Sequence, residues 1–167
     1  MAAPTGDGGS TRHGALLAVF LVVVIGVGAV IGAATAPGDW YAALEKPAFN
    51  PPDQVFAPVW LTLYVMIAIA GWRTFIRARS SGAMKLWYAQ MLLNWSWSPV
   101  FFTLHMPWLA FVVIVGMFAV IIAFIAATRR RDPVSAWLFV PYSAWVGFAS
   151  VLNLAIAILN QRPRSGI

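Results

Sequence analysis

Five long apolar runs constrain this chain more than any other feature. They cover residues 15–36, 55–72, 86–104, 108–127 and 134–159. A helix needs about 20 mainly apolar residues to cross a bilayer, and each run reaches or approaches that length. Helices are required because hydrocarbon leaves no partner for a bare backbone N–H or C=O. Hydrophobic residues make up 61% of the 167 and charged residues 10%. A soluble domain carries about 25% charged residues, so the solvent implied here is lipid. The expected fold is therefore all-α, an integral membrane bundle of five transmembrane helices.

The segments between the runs complete the layout. Residues 1–13, rich in Gly, Ser and Thr, predict a disordered tail, and residues 162–167 a short C-terminal tail. Arg12 and His13 before the first run, with Ala34-Thr35-Ala36 at its end, are also the elements of a signal peptide. That run exceeds the usual 7–15 residue core, and Pro37 follows the cleavage position, so retention as a helix is expected. The link His105-Met106-Pro107 is short enough to make runs three and four an antiparallel hairpin. Residues 37–54 form the one long link. Pro37, Pro47, Pro51 and Pro52 stiffen it, and it carries Trp40, Tyr41 and Phe49, so it predicts a lid over the bundle.

The charges predict an orientation. Eight basic residues (Arg12, Arg73, Arg77, Arg79, Lys85, Arg129, Arg130 and Arg131) fall on one side. Lys46, Arg162 and Arg164 fall on the other, with Asp39, Glu45 and Asp53. The positive-inside rule then places the N-terminus inside and the C-terminus outside. The same distribution explains the net charge of +6 without a nucleic-acid partner.

The catalytic inventory is sparse. With no Cys, disulfides, thiolate metal sites and cysteine nucleophiles are excluded. All five acids lie outside the runs, which argues against an ion-coupled pump. His13 and His105 are far apart, so no metal site is expected and no cofactor is required. Polar residues within the runs are few, among them Gln90, Asn94 and Asn153, and buried amides demand partners. For Gln90, helix-to-helix hydrogen bonding is the expected role. Asn94 shares a helical face with Trp97 and Phe101. Of the nine Trp, those near run ends fit an interfacial belt, whereas Trp60, Trp97 and Trp145 lie deeper. Trp60 aligns with Tyr64, and Trp145 with Phe148, Ala149 and Leu152. Three helices thus offer a Trp-bearing face suited to a flat apolar ligand. Gly28 and Gly32 form a G-x-x-x-G pair that permits close helix approach, within the bundle or between subunits.

Three blocks of sequence resemble one family. The first is Trp40-Tyr41-x-x-Leu44-x-Lys46-Pro47-x-Phe49-x-Pro51-Pro52, followed by Pro58-Val59-Trp60-x-x-Leu63-Tyr64. The second is Gln90-x-x-x-Asn94-x-x-Trp97-x-Pro99-x-Phe101-Phe102, and the third Pro141-Tyr142-x-x-Trp145-x-x-Phe148-x-x-x-Leu152-Asn153. In this order they resemble the translocator protein family, also called tryptophan-rich sensory proteins (TspO/MBR, peripheral-type benzodiazepine receptor), over about residues 15–161. The resemblance implies a five-helix bundle, often a homodimer, with a pocket under the first loop. It implies porphyrins such as protoporphyrin IX or haem as ligands, alongside other flat apolar molecules and membrane lipid. The residues implied to bind are Trp40, Tyr41, Phe49, Trp60, Tyr64, Asn94, Trp97, Phe101, Tyr142, Trp145 and Ala149.

The leading expectation is a sensor or carrier in tetrapyrrole or stress signalling. A light-dependent porphyrin-degrading enzyme using Tyr41, Trp60 and Trp145 is the second, and a lipid- or sterol-binding or passive transport protein the third. Two departures from the family pattern stand out. Phe49 replaces a usual Trp and loses its N–H, and Leu154 occupies the Tyr position of the animal sterol motif. Cholesterol is therefore not assigned as a ligand, although Lys85-x-x-Tyr88-x-x-x-Leu92 fits the inverted sterol pattern.

Overall fold

The computed structural model describes residues 8–161, and within them all regular structure is helical. Helix α1 covers Gly8–Ala34, α2 is a single turn at Asp39–Ala42, and α3 covers Phe56–Ala78 after a 3-10 turn at Asp53–Val55. Helix α4 covers Gly82–Ser98 and runs into a π-helical turn at Pro99–Thr103. Helices α5 (Pro107–Thr128) and α6 (Pro133–Leu159) complete the chain.

Four segments are long and apolar enough to cross a membrane: Thr11–Ala34, Asp53–Ala78, Pro107–Thr128 and Pro133–Leu159. The run expected at 86–104 differs, because Pro99 divides it. Proline has no N–H and its ring displaces the carbonyl four residues earlier, so the α-helical ladder cannot continue unchanged. The chain widens instead to i→i+5 bonding, with the Leu104 N–H donating to Pro99 O at 2.9 Å. The lid link is also more structured than expected, since it contains α2 and the 3-10 turn. The tail expected at residues 1–13 is helical from Gly8 onward, and its first seven residues lie outside the described part. The C-terminal tail, 162–167, lies outside it as well.

Local chemistry sets the ends of these helices. Ser81 caps α4 by accepting from the Met84 N–H at 3.2 Å. His105 adopts a left-handed conformation, φ 54°, which turns the chain sharply before Pro107 opens α5. Asp132 precedes α6 and accepts from Ser135 Oγ at 2.5 Å. Asp132 also binds Arg73 Nη2 at 2.8 Å and pairs with Arg77, tying α3 to the start of α6. Burial acts to raise the Asp132 pKa, but the hydrogen bonds from Arg73, Ser135 and Arg77 outweigh it and hold the carboxyl well below its usual range.

The helices pack in the order α1, α3, α6, α5, α4, with α4 meeting both α1 and α3 to close the ring. Their shared core includes Ile67, Met91, Ile114, Met117, Phe139 and Val146, all buried. Two glycines admit aromatic rings. A Cβ at Gly28 would lie 2.7 Å from Tyr64 Cζ, and one at Gly71 would lie 2.6 Å from Trp87 Cζ2. Gly28 of the G-x-x-x-G pair therefore serves packing inside the bundle, while Gly32 faces open space. Outward faces stay apolar, with Val22, Val112 and Trp137 more than half exposed. In water such surface would be a liability, and in a bilayer it meets hydrocarbon.

Candidate functional site

A chain of polar groups crosses the middle of the bundle. Tyr64 on α3 donates to Asn94 Oδ1 on α4 at 3.3 Å. Asn94 Nδ2 donates to the Tyr142 hydroxyl on α6 at 2.9 Å. Tyr142 in turn donates to Gln90 Oε1 at 3.0 Å, with Met117 Sδ of α5 at 3.3 Å. Tyr142 and Gln90 are fully buried and Asn94 nearly so. The network satisfies groups that would each destabilise an apolar interior if left unpaired. Gln90 Nε2 stays without a hydrogen-bond partner among the described residues.

Aromatic rings surround this node in two groups. On the α3/α6 side, Trp60 lies 5.4 Å from Tyr64 and 6.4 Å edge-on to Tyr142, measured between ring centroids. Trp145 packs at 5.7 Å from both Phe56 and Phe148, and Phe49 of the loop reaches Phe148 at 6.4 Å. Ala149, half-buried, packs against the same core. The second group lies under α2. Trp97 stacks on Phe101 at 5.4 Å, and Tyr41 meets Phe101 and Phe102 edge-on. Trp40 stacks on His105 at 4.2 Å. Trp97 Nε1 donates to Asn153 Oδ1 at 3.0 Å, and Asn153 Nδ2 to Pro107 O at 2.8 Å. The π turn is what presents Phe101 and Phe102 side by side beneath Tyr41. Trp97 packs against both groups and joins them.

The loop is fastened at two places. The Glu45 N–H donates to Asn160 Oδ1 at 3.0 Å, and Asn160 Nδ2 donates to Glu45 O at 2.9 Å. The Lys46 ammonium donates to Tyr41 O at 2.7 Å and sits 4.5 Å from the Tyr41 ring centroid. Burial, and secondarily the nearby Asp53 carboxylate, raise the Tyr41 phenol above its ordinary pKa.

An apolar groove of about 750 Å³ opens between α3 and α6. Its walls include Pro58, Thr62 and Met66 on α3 and Pro141, Trp145 and Phe148 on α6, with Pro51 of the loop at the rim. Trp145 Nε1 is buried there without a hydrogen-bond partner among the described residues. Of the three deep tryptophans expected to face one space, Trp145 lines this groove. Trp60 lies behind it against Tyr142, and Trp97 stands in the group under α2. Sequence reasoning missed Phe56, Met117 and Asn160. Phe56 and Met117 look like ordinary apolar residues, and Asn160 follows the last run as an unremarked loop amide. Among the described residues, no three of His, Asp and Glu gather as a metal site.

Apolar outward faces, spanning helices and a buried polar node ringed by aromatics define a helical integral membrane protein. Residues 18–159 match the family model described as TspO/MBR. The chain belongs to the TspO/MBR family. It is 35% identical to the tryptophan-rich sensory protein of Cereibacter sphaeroides over 152 residues, covering 90% of this chain and 96% of the relative. It is 34% identical to protein CrtK of Rhodobacter capsulatus over 149 residues, 87% of this chain and 92% of the relative. It is 33% identical to the translocator protein of Ovis aries over 160 residues, 89% and 93%.

Proposed function

We propose that this protein binds porphyrins, such as protoporphyrin IX or haem, within the bilayer and acts as a sensor or carrier in tetrapyrrole or stress signalling. The observation that carries the reading is the apolar groove whose wall includes Trp145 and whose α3/α6 flank continues through Trp60 to the Tyr142–Asn94 node. A planar macrocycle matches aromatic walls, and the node offers polar groups to orient its substituents. Family membership supports the same ligand class. In this reading α4 and its π turn form a fifth span, the N-terminus lies inside and the C-terminus outside, and two copies pair as a homodimer. The test is fluorescence titration of the purified protein with protoporphyrin IX. Saturable quenching is expected, and the Trp60→Ala/Trp145→Ala double variant is expected to weaken affinity at least about tenfold. Unchanged affinity would refute the assignment of the site.

A second reading, light-dependent breakdown of bound porphyrin, has one observation in its favour. Ring contacts run from Tyr41 through Phe101 to Trp97, and Trp97 packs against the core that also holds Trp60 and Trp145. Porphyrin absorbance loss that is catalytic in protein and disappears in Tyr41→Phe would favour an enzyme. Stoichiometric loss would exclude it.

A further inference from the structure

We infer that flat apolar ligands enter and leave the binding site from the bilayer, through the groove between α3 and α6, and not from water beneath the loop. The inference rests on the porphyrin-binding reading for the identity of the ligand, and on the geometry of the two openings for the route.

The aqueous side is stitched closed. Asn160 holds the backbone of Glu45 at both its N–H and its C=O, and a third bond from Asn160 Nδ2 to Ile156 O at 2.8 Å fixes the amide to the end of α6. Lys46 gathers the carbonyls of Tyr41 and Leu44 at 2.7 and 3.3 Å. Beneath them Tyr41 is 9% exposed and packed on Phe101 and Phe102. Entry by this side would require these bonds to break and Tyr41 to leave its bed.

The bilayer side has opposite properties. The groove lies on two of the helices that cross the membrane, so hydrocarbon is its solvent. Its one hydroxyl, Thr62, already donates to Pro58 O at 2.9 Å and makes no demand on a passing molecule. Each wall carries a proline, Pro58 and Pro141. Pro141 sits inside α6 and cannot bond back to the Trp137 carbonyl, so that wall lacks one rung of its ladder. The exposed Ala144 leaves the middle of the seam low. Trp145 is both a wall of this opening and packed against the core that holds Tyr142 and Trp60, so the groove abuts the buried rings. An apolar ligand is concentrated in hydrocarbon before it meets the protein, which makes this the populated approach.

The experiment uses full-length protein in phosphatidylcholine vesicles preloaded with protoporphyrin IX, with stopped-flow tryptophan quenching as the readout. Because the chain has no cysteine, a short bismaleimide can bridge Glu45→Cys to Asn160→Cys alone. Bridging is expected to change the association and dissociation rates by less than about twofold. Ala144→Phe, and independently Thr62→Phe on the opposite wall, both in the groove lining, are expected to slow association and dissociation about tenfold. Ala119→Phe, on an exposed face of α5, serves as a control and is expected to behave as wild type. Arrest by the bridge, or wild-type rates in both groove variants, overturns the inference. A second measurement does without porphyrin. In vesicles of dibrominated phosphatidylcholine, the fluorescence assigned to Trp145 (wild type minus Trp145→Phe) is expected to be quenched, and Ala144→Phe to protect it. An unquenched Trp145 means that the groove is closed to the bilayer and refutes the route. Failure of wild-type protein to bind protoporphyrin IX refutes the ligand instead.

Discussion

Replacing Gly28 with Ala perturbs one contact whose consequences can be worked through. The added methyl would fall 2.7 Å from Tyr64 Cζ and closer still to the adjacent ring carbon, so the ring must move. Tyr64 cannot move freely, because it packs on Trp60 and donates to Asn94. Displacing it forfeits an aromatic contact of about 0.5–1.5 kcal/mol and a hydrogen bond of about 1 kcal/mol. Ala is favoured over Gly in a helix by about 1 kcal/mol, which offsets part of the loss. The net destabilisation is about 0.5–1.5 kcal/mol, or roughly 1–6 °C in melting temperature for a chain of this length. Gly32→Ala meets open space and is expected to lose nothing. Fluorescence-detected melting in detergent micelles measures both variants. The decisive comparison is the double-mutant cycle with Tyr64→Ala, in which the penalty of Gly28→Ala should vanish. Equal destabilisation by Gly28→Ala and Gly32→Ala, or a penalty that persists without the Tyr64 ring, would refute this account. It would assign the glycine pair to contact between subunits instead.

Three other perturbations have defined outcomes. Tyr142→Phe removes the hydroxyl that joins Asn94 to Gln90, leaves both amides short of a partner, and should destabilise by about 1–3 kcal/mol in the same melting assay. Asn160→Ala should speed amide hydrogen exchange at Glu45, whose N–H loses its acceptor, with little effect on exchange in α5. Asp132 has a depressed pKa in the folded protein, so its stabilisation is complete above the unfolded carboxyl value of about 3.9 and is lost as pH falls toward the folded value. Wild-type stability attributable to this group should therefore be flat from neutral pH down to about pH 5 and decline below about pH 4. Asp132→Asn should melt lower at neutral pH, where Arg73 and Arg77 lose their counter-charge, and should show a shallower acid decline.

What the sequence reveals and what it conceals follow from the range of the interactions involved. Hydrophobic runs are visible because each helix must satisfy lipid residue by residue, and four of the five expected spans meet that requirement as continuous helices. The run over 86–104 hides an irregularity, because hydropathy does not register a missing N–H. Pro99 is apolar enough to extend the run and still breaks the helix into an α and a π segment. The aromatic faces were legible as helical spacings, and Trp60 with Tyr64 and Trp145 with Phe148 do pack as the spacing implies. Which faces meet one another was not legible, since it depends on the order of helices around the ring and on the twist imposed at the π turn. Trp97 consequently lies beside Phe101 and Asn153, away from the groove that Trp145 lines.

The polar residues carry the same lesson further. Gln90 and Asn94 come from the second block of sequence and Tyr142 from the third, and each alone would destabilise a membrane interior. Together they complete one another's hydrogen bonds, and their positions fix how α4 and α6 face across the bundle. Gln90 nonetheless keeps an unpaired amide N–H beside a fully buried tyrosine. Gln90→Met fills similar volume and removes that unpaired group, but it also removes the acceptor of the Tyr142 hydroxyl, which keeps only Met117 Sδ at 3.3 Å, so the two effects oppose and stability should change by less than about 1 kcal/mol. If Gln90→Met leaves the melting temperature near that of wild type but weakens protoporphyrin IX binding, the amide is retained for the ligand. If binding is intact as well, the node is structural, and recognition rests on the tryptophan walls alone.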